Sequence, residues 1–97
     1  AYAERASNIT PDSAPVLDTL ALVLLENKQI KDAQLRIEQA LKLAPDDPGM
    51  RYHAALIRRA AGDKGGALLI LEPVVNGPKD FPEKKEAAQL LESLGKK

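Results

Sequence analysis

The feature that most constrains this chain is a pattern that returns at a fixed step. Ala33, Ile37 and Ala40 recur thirty-four positions later as Ala67, Leu71 and Val74, and Leu20-Ala21 recurs as Ala54-Ala55. In the other direction, Pro45 and Ala40 map back onto Pro11 and Ala6. Self-similarity at a step of roughly 20–50 residues marks a repeat architecture. In such a fold each unit is a small supersecondary element that buries its apolar face only against stacked neighbours. Aromatic residues are 3% of the chain, so the core must be built from Leu, Ala, Ile and Val. Leu and Ala are also strong helix formers, and the expected class is all-α.

Punctuation sets the expected helices. Asp12 or Ser13 can cap a first helix that carries Pro15 in its first turn and runs to about Asn27. Its apolar residues Leu17, Leu20, Ala21 and Leu24 fall at i, i+3, i+4 and i+7, one face of a helix. A partner helix from Lys31 to Leu43 stops at Ala44-Pro45, because the residue before proline disfavours helical geometry. Asp47 then caps a third helix, with Pro48 in its first turn, which runs to about Ala61. Gly62-Asp63 suits a left-handed helix end. Its partner spans Lys64 to about Val75, and Pro73 inside it should kink it or end it early. Asn76-Gly77-Pro78 reads as a turn. Phe81-Pro82 opens a last helix from Glu83 to Leu94, closed by Gly95. That helix puts Ala87, Ala88, Leu90, Leu91 and Leu94 on one side and Glu83, Lys84, Lys85, Glu86 and Glu92 largely on the other, the pattern of a solenoid cap. The expected organisation is a single domain. The tail of a truncated unit covers 1–11, a full unit 14–47, an atypical unit 48–78 and a capping helix 82–95. The chain opens inside an expected helix and without Met, so it is expected to be a piece of a longer protein.

Charge and residue types narrow the function classes. The formal net charge is +0, which argues against general nucleic-acid binding, since that rests on many phosphate contacts. The charge is uneven: residues 1–48 hold five basic and eight acidic side chains, the remainder nine and six. Ordinary solvated faces account for that asymmetry, because exposed charge pairs contribute little. No apolar run approaches the roughly 20 residues of a membrane span. There is no cysteine for a disulfide or thiolate site, and His53 is the single histidine. A Ser-His-Asp set would need Ser7, Ser13 or Ser93 as nucleophile, and none stands in a Gly-x-Ser-x-Gly elbow. Gly62-Asp63-Lys64-Gly65-Gly66 lacks the spacing of a phosphate loop and joins two helices, so it reads as a turn. The expectation is a protein without catalysis, metal or cofactor, with His53 at the surface or in a groove.

Leu17-x2-Leu20-Ala21-x2-Leu24, then Ala33-x3-Ile37, then Pro45, resembles the tetratricopeptide (TPR) pattern W-x2-L-G-x2-Y…A-x3-F…P. The second unit keeps Ala55, Ala67 and Leu71, but has Arg51 and Arg58 at large apolar positions and Lys79 in place of the closing proline. More narrowly, Val16-Leu17-Asp18-Thr19-Leu20, Leu43-Ala44-Pro45, Arg51-Tyr52-His53, Gly62-Asp63-Lys64 and Phe81-Pro82-Glu83…Ala88 look like the C-terminal end of bacterial TPR proteins associated with exosortase/PEP-CTERM sorting. That likeness implies an envelope lipoprotein linked to exopolysaccharide production, and a periplasmic or cell-envelope location. A TPR solenoid implies a protein or peptide partner on a concave face lined by the first helix of each unit. Carried onto this chain, those positions are Asp18, Leu22, Leu25 and Glu26, then Tyr52, His53, Leu56 and Arg59, with Glu86 and Leu90 from the last helix. Leu22 and Leu56 fall outside the Leu17/Leu20/Leu24 stripe, and Tyr and Arg are enriched at interface hot spots. The Lys/Asn carboxylate clamp of chaperone-binding TPRs is missing, with Asp18 and Asp32 acidic or off-register. Arg51 and Arg58, seven residues apart, share a helix face and are expected to snorkel beside Glu83 or Glu86. The alternative to partner binding is a structural end-cap or self-association segment, with a possible homodimer through the N-terminal half unit.

Overall fold

In a computed structural model, residues 13–95 are described. The expected tail of a truncated unit over 1–11, and Asp12 as an alternative cap, lie outside the described residues. Five α-helices follow in order: α1 Ala14–Glu26, α2 Ile30–Leu43, α3 Pro48–Ala60, α4 Lys64–Val75 and α5 Lys84–Gly95. No strand is present among the described residues. Each helix packs on its neighbours in the chain, and α1 also touches α3. The result is two antiparallel helix pairs, α1–α2 and α3–α4, with α5 laid against the second.

The helix starts match side-chain chemistry. Ser13 caps α1, its Oγ accepting from Val16 N–H at 3.4 Å. Asp47 caps α3, its Oδ1 accepting from Met50 N–H at 3.1 Å. Each satisfies a first-turn donor that has no partner inside the helix. Both pairs turn by the same device. In the first, Lys28 N–H donates to Leu25 O (3.0 Å) and Gln29 N–H to Leu24 O (2.9 Å). In the second, Gly62 N–H donates to Arg59 O (3.0 Å) and Asp63 N–H to Arg58 O (2.9 Å). Every partner is displaced by the same thirty-four positions. The central residue is left-handed in both, with φ 62° at Lys28 and 86° at Gly62.

Two apolar clusters hold the stack. Leu17, Ala21, Ala33, Ile37, Ala40, Met50, Ala54 and Ile57 form the first, between α1, α2 and α3. Ala55, Ala67, Leu71, Ala87, Leu90 and Leu94 form the second, between α3, α4 and α5. The alanines Ala21, Ala33, Ala55, Ala67 and Ala87 are fully buried, so they set how closely the helix backbones approach. Ala88, expected on the inner side of α5, is exposed, while Leu91 is half-buried.

α4 carries Pro73 in its last turn and ends two residues later. Proline removes a backbone donor there. Arg51 reaches that turn: its Nε donates to Ile70 O at 3.1 Å and its Nη1 to Pro45 O at 3.4 Å. Arg58 pairs with Asp63 at 3.6 Å. Neither arginine lies beside Glu83 or Glu86 as the sequence suggested. Other acceptors take them: for Arg51 a backbone carbonyl of α4 and one of the link before α3, and for Arg58 the carboxylate at the start of α4. Lys84 fixes the entry to α5, its Nζ donating to Gly77 O (3.2 Å) and Lys79 O (2.9 Å).

Candidate functional site

α3 lies at the middle of the stack and presents side chains in two directions. Pro48 and the Asp47 cap set its phase. Met50, Ala54 and Ile57 then turn inward and are buried. Tyr52, Leu56 and Arg59, at helical spacing of four and three, turn toward α5. There they line one open groove with Glu86, Gln89, Leu90 and Ser93, a hollow of about 330 Å³. Tyr52 and Leu56 are half-buried and pack on the second core cluster, so they form its floor. Arg59 and Glu86 are exposed and face solvent at its rim. The Tyr52 hydroxyl is pushed above its ordinary pKa of 10.0, first by burial, then by the charges of Glu86 and Glu83, with Arg59 opposing. It stays a neutral phenol at physiological pH, able both to donate and to accept.

His53 points to a second hollow, of about 510 Å³, whose lining includes Asp18, Asp47, Gly49, Phe81 and Glu83. Its Nδ1 lies 2.8 Å from Asp18 Oδ1 and its Nε2 3.4 Å from Glu83 Oε2. The Tyr52 and His53 ring centroids are 5.6 Å apart, and these adjacent residues of α3 serve the two hollows. Burial pushes the imidazole pKa down. The hydrogen bond and charge of Asp18, and the charge and hydrogen bond of Glu83, outweigh it and leave the pKa raised above 6.5. Gly49 lies close by: a Cβ there would be in ordinary contact with Asp47 Oδ1, at 3.4 Å, and with Glu83 Oε1, at 3.7 Å. Glu83 thus lies over the amino end of α3, where the helix's partial positive charge favours a carboxylate.

The eight candidate residues therefore divide. Tyr52, Leu56 and Arg59 come together with Glu86 and Leu90. Asp18 and His53 meet in the neighbouring hollow. Leu22 and Leu25 are half-buried on α1, Leu25 packed against the first core cluster, and Glu26 is exposed at the end of that helix. None of these three lines either hollow. Gln89 and Ser93 were not singled out from the sequence, although their spacing of three and seven from Glu86 was the available signal. Glu83 as a partner of His53 had no local signal, since thirty residues separate them.

Both hollows are lined by a mixture of apolar, polar and charged side chains. Among the described residues no three His, Asp or Glu side chains are arranged to hold a metal ion. No described helix is long and apolar enough to cross a membrane. At the Gly62–Gly66 turn, Asp63 Oδ1 accepts from Gly66 N–H at 2.9 Å, so the chain's own carboxylate takes the place a phosphate would need. A scan against protein-family models and a search of curated proteins both return no match.

Proposed function

We propose that this chain is a TPR-type helical array and that it works as a non-catalytic module binding a peptide or partner protein. Support for the array comes from the thirty-four-residue register, which recurs in the caps, the turn hydrogen bonds and the buried alanines. The observation that carries the binding reading is the α3–α5 groove. It has an apolar floor of Leu56 and Leu90, an amphipathic aromatic in Tyr52, and opposite charges on its two walls in Arg59 and Glu86. Such a mix suits a short peptide that buries an apolar side chain and satisfies polar groups around it. Placement at the end of a bacterial exosortase-associated lipoprotein belongs to the same proposal and rests on the sequence phrases alone.

The test is selection from a displayed peptide library against the whole chain. Tyr52→Ala with Arg59→Ala should weaken selected peptides by tenfold or more, roughly 1.4 kcal/mol or above, with little change in Tm. Peptides that bind the double variant as well as the parent would remove the groove from consideration.

A second reading, self-association through stacking, has its own support. Val16, Leu20 and Val23 form an apolar strip on α1, with Val23 45% exposed. Thirty-four positions on, Met50, Ala54 and Ile57 occupy the same places on α3 and are buried against α2. A concentration-independent monomer in sedimentation would count against this reading.

A further inference from the structure

His53 stands between two carboxylates that belong to different parts of the stack, Asp18 on α1 and Glu83 at the entry to α5. An ionised carboxylate only accepts hydrogen bonds, so each requires a proton on the ring nitrogen it faces. A neutral imidazole has one N–H and one lone pair and can meet only one of them. The imidazolium has two N–H groups and meets both. We propose that His53 is a proton-controlled latch: as imidazolium it ties α1 to the entry of α5, and on losing a proton it keeps Asp18 and lets go of Glu83.

The geometry decides which tie survives. The Asp18 contact is shorter, 2.8 Å against 3.4 Å, and its side chain is less exposed, 17% against 36%. A proton leaving Nε2 turns that nitrogen's lone pair toward the Glu83 carboxylate, which can move into water. The charged groups that line this hollow with His53 are all acidic: Asp18 from α1 and Glu83 from the segment before α5, both in contact with the ring, and Asp47, which caps its own helix. Tyr52 beside it stays neutral. No lysine or arginine lines this hollow to take over the Glu83 charge when the imidazolium is lost. Glu83 retains only the amino end of α3, across Gly49. The effect is transmitted because Glu83 O accepts from Ala87 N–H at 2.8 Å and so starts α5. Ala87, Leu90 and Leu94 remain buried, so the latch governs the first turn of α5 and not its docking. The latch does not depend on whether the neighbouring groove takes a peptide.

The experiment is NMR on the full chain between about pH 5 and about pH 9, the range in which histidine titrates. The ring proton of His53 is followed together with amide protection factors along α5. His53 should titrate above the reference value of about 6.5. With the same midpoint, protection at Ala87 should fall roughly two- to fivefold, the size expected of a partly exposed ion pair. Glu83→Gln, a change at a partly exposed position, should lower the His53 midpoint and abolish the response at Ala87. Asp18→Asn should lower the midpoint but leave the response, moved to the new midpoint. A His53 midpoint at or below about 6.5, protection at Ala87 that ignores it, or a response that persists in Glu83→Gln would each overturn the latch.

Discussion

The two hairpins of this molecule reach the same geometry with different chemistry. At the second turn, Gly62 takes the left-handed conformation without cost, and Asp63 caps the following helix through Gly66 N–H. At the first turn the same left-handed position holds Lys28, and Gln29 makes no side-chain cap. Yet the backbone hydrogen bonds match partner for partner. The first turn therefore closes because its helices are held elsewhere. Leu17, Ala21, Ala33 and Ile37 are all buried there. The second hairpin has good turn chemistry, but it has Arg51 and Arg58 where the first has Leu17 and Leu24. It recovers core from α5, and Arg51 is drawn to the backbone beside Pro73. Both hairpins bury the equivalent Ala, Ala and Ile/Leu positions; they differ in the turn residue and in the two arginines, whose places in the second core are supplemented by α5.

The sharpest way to break this comparison is at the shared core. Ile37→Ala and Leu71→Ala remove side chains at equivalent, buried places, and each should cost about 2–5 kcal/mol by chemical denaturation. A large loss at one and none at the other would show that the two units are not equivalent. Ala33→Leu and Ala67→Leu should overpack the paired helices by about 1–3 kcal/mol each, and an unchanged melt for either would refute the thirty-four-residue register. At the turns the signs should oppose. Lys28→Gly should stabilise by about 0.5–1 kcal/mol, because it removes a side chain from a left-handed position, whereas Gly62→Ala should destabilise by about 1 kcal/mol. Gln29→Ser, which supplies the missing cap, should add about 0.5–1 kcal/mol, a gain visible as a higher denaturation midpoint. The smallest effect is the pH dependence. The His53 pKa is raised in the folded chain, so its contribution is fully present below the unfolded value near 6.5 and is lost as pH rises through the folded value. Stability that rises instead across that window in the parent, relative to Glu83→Gln, would contradict the assigned ion pairs.

Much of this fold is legible in the sequence. The caps at Ser13 and Asp47, the left-handed Gly62 and the helix ends near prolines are local events, each decided within about four residues, and sequence carries that information directly. The groove was half legible. Tyr52, Leu56 and Arg59 share a face by helical period alone, but that face becomes a wall only where α5 docks. The destinations of Arg51 and Arg58 were not legible. A long cationic side chain can reach acceptors far along the chain, and Arg51 donates to a carbonyl nineteen residues away, in the last turns of α4.

The all-α class and the positions of the helices could be read from the order of residues alone. Apolar residues recur at a thirty-four-residue step, and among the described residues the alanines on that step, with Ile37 and Leu71, are buried between neighbouring helices. Which polar groups meet followed from how distant segments pack. Asp18, His53 and Glu83 lie on three segments, 35 and 30 residues apart, with no periodicity linking them. Hydrogen bonds and ion pairs act over a few ångströms, so these three became a unit only when α1, α3 and the entry to α5 had been packed together.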